Sequence, residues 1–442
     1  MREALSRAWI AALCLLVGSF LCALFTGDSR EAAVLLALSG LGWIVCARAH
    51  SESAQRPLVF WSVALVLRFA AFACGPVYSD DVQRYAWEGE VLLAGKSPYA
   101  YAPGAPELAQ LRAQLPELAP RVSHAEVPAV YPPLAQAAGL AVAALVHASG
   151  STPGRASTWI LRAFYLAADL GVLLLVLRAR RAGRLAPAAP LVWGWCPLVC
   201  LEFAGSGHLD SLGILFLLLA LLAAEARPLQ SSIGSALGAS VKLLPLVMLP
   251  WIGRGRPIAG RLGFAALALA LLALAYLPFL FLEGGARGFG AGLHEYGERW
   301  ESASLVYRWV EPWVLEHYGR GVPFESTRHL ARVAVGCAWL LLAGWAVWRR
   351  RDAWSGAGAV LGAFLVLSPT LHPWYTLWML PFLMHKPRCS WSWLIAGAAL
   401  FYWPLSGWKS QQLWIEPAWI WWVVAPAFAA LWIREALAEA RA

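Results

Sequence analysis

Two adjacent acids, Asp80 and Asp81, open the polar stretch that runs from Pro76 to Pro103 in a chain otherwise dominated by apolar residues. Neighbouring carboxylates raise one another's affinity for protons, and a carboxylate that stays basic can take a proton from a hydroxyl group. Four further polar groups lie beside long apolar runs: His208 and Asp210 in GHLD, Lys242 in SVKLLP and His372 in HPWY. A charge at the centre of a bilayer costs about 2.5 to 3.5 kcal/mol on insertion scales. Asp210, Lys242 and His372 therefore mark a water-filled cavity near one membrane surface. Two acids, two histidines and a lysine in one pocket make a set for moving a proton and neutralising an anion.

Each of these residues also has a plainer explanation. Aspartate is a favoured helix N-cap, so either acid can simply start the helix that follows. His208 and His372 can be satisfied core or interface histidines, and Lys242 can snorkel to a headgroup. Interface belts account for most of the Trp and Tyr residues. The eight cysteines show no disulfide or zinc spacing, and Cys196 and Cys200, four residues apart, have no His or acid close enough in sequence to complete a metal site.

The elements that must hold the polar groups are membrane helices. The chain has 442 residues, of which 60% are hydrophobic and only 14% charged, against roughly 25% charged in an ordinary soluble domain. Its formal charge of +9 comes from short Lys and Arg clusters between apolar segments. That pattern sets topology and is not the basic face of a nucleic-acid binder.

Apolar runs at Ala8–Phe25, Ala32–Ala47 and Pro57–Ala73 give three crossings from a cytoplasmic N-terminus, which places Asp80 and Asp81 outside. The first outside loop spans 74–130, and its Val82–Ala94 segment reads as a helix lying along the interface, aromatics toward the headgroups. Two runs follow, Leu134–Val146 and Thr158–Leu177, before the basic cluster RARRAGR. Positive-inside parity requires that one of them is not a full span. Leu191–Phe203 and Leu209–Ala224 then expose EFAGSGHLD on the outside, and Ile233–Trp251, basic at both ends, reads as a hairpin broken near Lys242. A second outside loop covers 283–328. The expected fold is a single all-α domain over 1–442, a polytopic bundle of about 11 to 14 membrane helices with interfacial helices in its two outside loops.

SDDVQRYAWEGEVLLAGKSPYAYAP, YPPLAQ, GHLDSLGILFLLLALL, GASVKLLPLVMLPW and LSPTLHPWYTLWMLPFL follow one another over roughly residues 74 to 385. In that order they resemble the polyprenyl-phosphate-sugar-dependent integral membrane glycosyltransferases of the GT-C superfamily, and most of all the bacterial mannosyltransferase-like family 87. The resemblance implies an inverting enzyme of the cell inner membrane that moves a hexose, mannose by family habit, from a polyprenyl-phosphate donor to a glycolipid or glycan acceptor on the extracytoplasmic face. It assigns the base to Asp81 or its neighbour Asp80, with Asp81 preferred, and a donor- and phosphate-binding set to Lys242, Asp210, His208, His372 and Arg84. It demands no cofactor, while Asp80, Asp81 and Asp210 leave room for a divalent cation such as Mg or Mn. In many relatives the acid loop follows the first membrane helix; here three apolar segments precede it, which preserves the side because three is odd. The rival reading is a transporter or flippase for a lipid-linked sugar, which calls for internal repeats or charges spread through the membrane depth. Neither is found in the sequence.

Overall fold

A computed structural model describes residues 2–49, 56–411 and 413–441. Among them there are no strands, only three isolated β-bridges between loops. Apolar side chains facing lipid leave the backbone to satisfy itself, and the helix does so within one segment. Among the described residues seven helices are long and apolar enough to cross a membrane: Ala8–Phe25, Ser29–Ala49, Pro57–Cys74, Arg155–Arg181, Ile258–Phe281, Phe324–Arg349 and Ala418–Glu439. Four shorter apolar helices join them, Pro133–Ala148, Pro197–Ser206, Asp210–Ala223 and Ala353–Leu367. With the shorter ones included, the described residues hold eleven apolar helices, seven of them of spanning length. The protein is a multi-pass helical bundle.

The parity problem in the sequence has a simple origin. Of the two runs before RARRAGR, Arg155–Arg181 has 27 residues, whereas Pro133–Ala148 has 16 and falls short of the roughly 20 needed to cross. The short helix packs against the one that carries the acids, Asp81–Leu93. At their crossing a Cβ on Gly89 would lie 2.3 Å from the carbonyl oxygen of Gly139, and one on Gly139 would lie 2.6 Å from that of Tyr85. Only paired glycines allow backbones so close.

This contact corrects one expectation. Every residue from Val82 to Leu92 is buried, so the acid helix does not lie on the interface with aromatics toward headgroups. It is clamped inside the protein because its polar residues find partners there: Glu88 takes hydrogen bonds from Gln136 and Arg84, and Glu90 pairs with His147 at 2.8 Å. In the second loop the Tyr307–Tyr318 helix does expose Trp309 and Trp313.

Two breaks position the remaining polar groups. The Pro228–Ala239 helix stops at Ser240, the chain turns through Val241 and Lys242, and Leu244–Trp251 continues as a 3-10 helix containing Pro245 and Pro250. The hairpin expected at Lys242 is present. Cys200–Ser206 forms a π-helix that ends at Gly207 in the left-handed region, φ 75°. One buried ion pair ties the bundle together behind these breaks. Arg68 Nε and Asp169 Oδ2 lie 2.6 Å apart with both side chains fully buried, and Trp193 Nε1 donates to Asp169 while Arg68 also donates to the carbonyl of Gly194.

Candidate active site

The acid helix begins at the mouth of a cavity of about 860 Å³, within the range of small-molecule sites. Asp80 occupies the N-cap position, yet its side chain makes no capping hydrogen bond. The hydroxyl of Ser79 instead accepts the amide hydrogen of Asp81 at 3.3 Å. Capping therefore does not explain the acids, and both line the cavity. Asp80 is exposed at the cavity lining, though crowded by nearby protein. Loss of bulk water, and then the neighbouring charge of Asp81, push its carboxyl above the usual carboxylate range.

Asp81 is the more firmly aimed of the two. Its Oδ2 accepts a hydrogen bond from the Tyr131 hydroxyl at 3.2 Å and lies 3.6 Å from His208 Nδ1, while 28% of the side chain remains accessible. Tyr131 is held edge-on by Tyr85, one turn along the acid helix, with ring centroids 5.1 Å apart. The carboxylate is thus oriented by protein on one side and free on the other, the condition a general base needs.

Lys242 reaches the same cavity from the broken hairpin. Its Nζ lies 2.9 Å from Asp210 Oδ1 and 3.9 Å from the centroid of Tyr375, whose hydroxyl is 2.7 Å from that of Tyr296. Asp210 is itself 1% exposed and accepts a second hydrogen bond from Trp378 Nε1. It stands one layer behind the cavity and fixes the ammonium group. His372 lines the cavity and stacks on Trp374 at 4.5 Å; burial holds its imidazole far below the usual histidine range, at about 4, so the ring is neutral at physiological pH. His208 stacks on the same indole at 4.0 Å but is 1% exposed and lies behind the wall, between Asp81 and Glu202.

Arg84 also borders the cavity, with its guanidinium committed elsewhere. It donates to Glu88 and to the carbonyls of Ser123, His124, Val127 and Pro128. Its observed work is to fold the 123–128 loop into the cavity wall. Among the described residues no group of three or more His, Cys, Asp or Glu side chains is arranged to hold a metal ion.

From Lys242 the cavity continues as an apolar arm. Leu244, Val247, Pro250 and Trp251 line it from the 3-10 helix, Trp339, Ala343 and Val347 from the Phe324–Arg349 helix, and Val360 and Phe364 from the Ala353–Leu367 helix. The other end, near the acids, is aromatic and polar, with Tyr131, Tyr296, Trp300, Ser302, Trp408 and Trp414. One continuous space therefore joins a carboxylate pair, a lysine and a hydrocarbon channel.

Sequence reasoning passed over Tyr131, Tyr296, Tyr375 and the whole apolar arm. Tyr131 heads YPPLAQ and Tyr375 ends HPWY, so the motifs contained both. No signal in HEYGERW singles out Tyr296.

Residues 5–255 match a family model described as alpha-(1->6)-mannopyranosyltransferase, N-terminal domain. No curated protein and no solved structure matches the chain.

Proposed function

Matched over more than half its length, the chain belongs to the alpha-(1->6)-mannopyranosyltransferase family and is a membrane mannosyltransferase; from that premise we propose that it takes mannose from a polyprenyl-phosphate donor and transfers it to a hydroxyl of a glycan or lipid-linked acceptor at the outer face of the cytoplasmic membrane. The observation that carries the donor assignment is the continuity of the cavity. A ligand with a sugar, a phosphate and an isoprenoid tail is polar, anionic and apolar in that order, and would meet the polar acid end, the cationic Lys242 and the apolar arm beyond it in the same order. A nucleotide sugar would leave the apolar arm empty.

In this reading the donor phosphate sits at Lys242 and the prenyl chain lies along Val247 and its neighbours. The acceptor hydroxyl meets Asp81. As its oxygen attacks the anomeric carbon, Asp81 takes the proton, the bond from that carbon to the phosphate oxygen breaks, and the electron pair leaves with the polyprenyl phosphate. Attack opposite the leaving group inverts the anomeric centre. Lys242 offsets the charge that grows on the phosphate, an effect worth most in a water-poor site. Neutral His372 offers a hydrogen bond without adding positive charge beside Asp81. Positive-inside parity supports the outer face for the acids.

The arm can be tested without touching the acids or the lysine. Val247→Trp should raise the KM for a long-chain polyprenyl-phosphate-mannose by about tenfold or more, because an indole in the channel displaces hydrocarbon contacts worth about 0.8 kcal/mol per methylene. The KM for a donor with a tail of one isoprene unit should stay within about twofold, since that tail ends before the arm. An equal rise for both donors in steady-state kinetics would remove the arm from donor binding.

A further inference from the structure

Behind the wall that carries Asp81, one buried acid has no part in the mechanism above. Glu202 is fully buried, and its Oε2 lies 3.2 Å from Nε2 of His208, whose other ring nitrogen is 3.6 Å from Asp81 Oδ2. Among the described residues the ion pairs of His208 are these two. The local backbone is unusual in a way that makes the arrangement possible. Glu202 sits in the π-helical turn Cys200–Ser206, a geometry frequent at functional sites, and the amide of His208 closes the turn by donating to the carbonyl of Glu202 at 2.9 Å. Gly207 supplies the left-handed link, where a Cβ would meet Arg162 Cγ at 2.6 Å. The ring of His208 is then pinned by its stack on Trp374.

We propose that Glu202 and His208 form a proton relay behind Asp81, so that the proton taken from the acceptor moves on to His208 and Asp81 is restored as a carboxylate before product leaves. The proposal rests on Asp81 being the base. Glu202 Oε2 faces Nε2 at ion-pair distance without the alignment of a hydrogen bond; when the contact tightens in the reaction complex, a hydrogen on Nε2 bonded to that carboxylate leaves the lone pair of Nδ1 directed at Asp81. When the acceptor O–H bond breaks, its proton passes to Asp81 Oδ2 and from there to Nδ1. The resulting imidazolium lies between the carboxylates of Asp81 and Glu202. After product departure the proton returns through Asp81 to water in the cavity. The 3.6 Å separation is a few tenths of an ångström beyond hydrogen-bond range, and such contacts tighten when a reaction complex forms. The other ionisable groups that face His208 are Asp210, two residues on, and His372 across the Trp374 ring, with Lys242 held against Asp210. Glu202 and His208 are positioning residues, since neither lines the cavity.

The test measures mannose transfer against pH for the full-length protein in lipid nanodiscs, with polyprenyl-phosphate-mannose as donor. Glu202→Gln should lower kcat by about 10- to 100-fold with the donor KM unchanged within about twofold, because the lysine end is untouched. It should also move the acidic limb of the pH–rate profile down by about one unit, since a carboxylate at this distance raises the proton affinity of an imidazole by that much or more. His208→Gln should cost at least as much in kcat, and the double variant no more than His208→Gln alone, as expected of residues acting in series. Folding is checked by the thermal midpoint, and Glu202→Asp should recover part of the rate. A folded Glu202→Gln with wild-type kcat and an unmoved acidic limb overturns the relay, as does full additivity in the double variant. Should Glu202→Gln not fold, a folded His208→Gln with wild-type kcat overturns it equally. Asp81→Asn, run alongside, separates the two ideas: if it is inactive while Glu202→Gln is normal, only the relay falls, and if it is active, the base assignment falls with it.

Discussion

Asp81→Asn is expected to reduce mannose transfer by about a hundred- to ten-thousandfold, the range ascribed to general base catalysis, while leaving the protein folded. Asparagine keeps the shape of the side chain and can still accept a hydrogen bond from Tyr131, so the acid helix and its glycine contact with the Pro133–Ala148 helix have no reason to move. What is lost is the negative charge and the ability to take a proton. Donor binding depends on Lys242 and the apolar arm, so the KM for the donor should change little. Asp80→Asn provides the contrast. Asp80 lines the cavity but lacks the Tyr131 and His208 contacts that aim its neighbour, and its replacement should cost at most about tenfold, from lost charge alone. Turnover measured for both variants in nanodiscs decides the matter. A loss that is larger for Asp80→Asn would transfer the role of base to Asp80.

Asp169→Ala should lower stability by about 3 to 5 kcal/mol, the cost of removing one partner from a buried pair. An overlapping range comes from the membrane side, where a lone Arg near the centre of a helix costs about 2.5 to 3.5 kcal/mol. Asp169 accepts both Nε and Nη2 of Arg68, at 2.6 and 2.9 Å, and the indole hydrogen of Trp193 at 2.8 Å. These contacts join the Pro57–Cys74 helix, the Arg155–Arg181 helix and the Ala189–Gly194 segment. Without the acid, Arg68 keeps hydrogen bonds to the carbonyls of Ala64 and Gly194 but no counter-charge. Replacing both residues with leucine removes the stranded charge together with its partner and should recover most of the loss. Thermal unfolding in detergent, followed by the fraction remaining monodisperse, reads both effects. If the double replacement is as unstable as the single one, the penalty is not one of uncompensated charge.

The residues legible in the sequence were those whose cost in lipid demanded a reason. Lys242 and His372 interrupt apolar runs, and the structure brings them with Asp80 and Asp81 to one cavity. Distance from that cavity was not legible. His208 and Asp210 carry the same sequence signal as Lys242, yet both lie behind the wall, because the π-helical turn and Gly207 fold that connection inward. Arg84 looked available for a phosphate and instead holds five acceptors, a commitment set by loop carbonyls some 40 residues away in the chain. The tyrosines at the site were hidden among aromatic residues that an interface would select in any case. The acid helix was found in sequence within a residue or so of its true limits, but its burial depends on the Gly89–Gly139 crossing, a long-range contact that no local pattern reports.

The most direct test of the central claim is a comparison of donors. Purified protein in nanodiscs is given an oligomannoside acceptor with either polyprenyl-phosphate-mannose or nucleotide-activated mannose, and the products are identified by mass spectrometry and by the anomeric proton resonance of the new linkage. The account predicts one added α-linked mannose from the lipid donor and none from the nucleotide donor. Transfer from the nucleotide donor alone would contradict it.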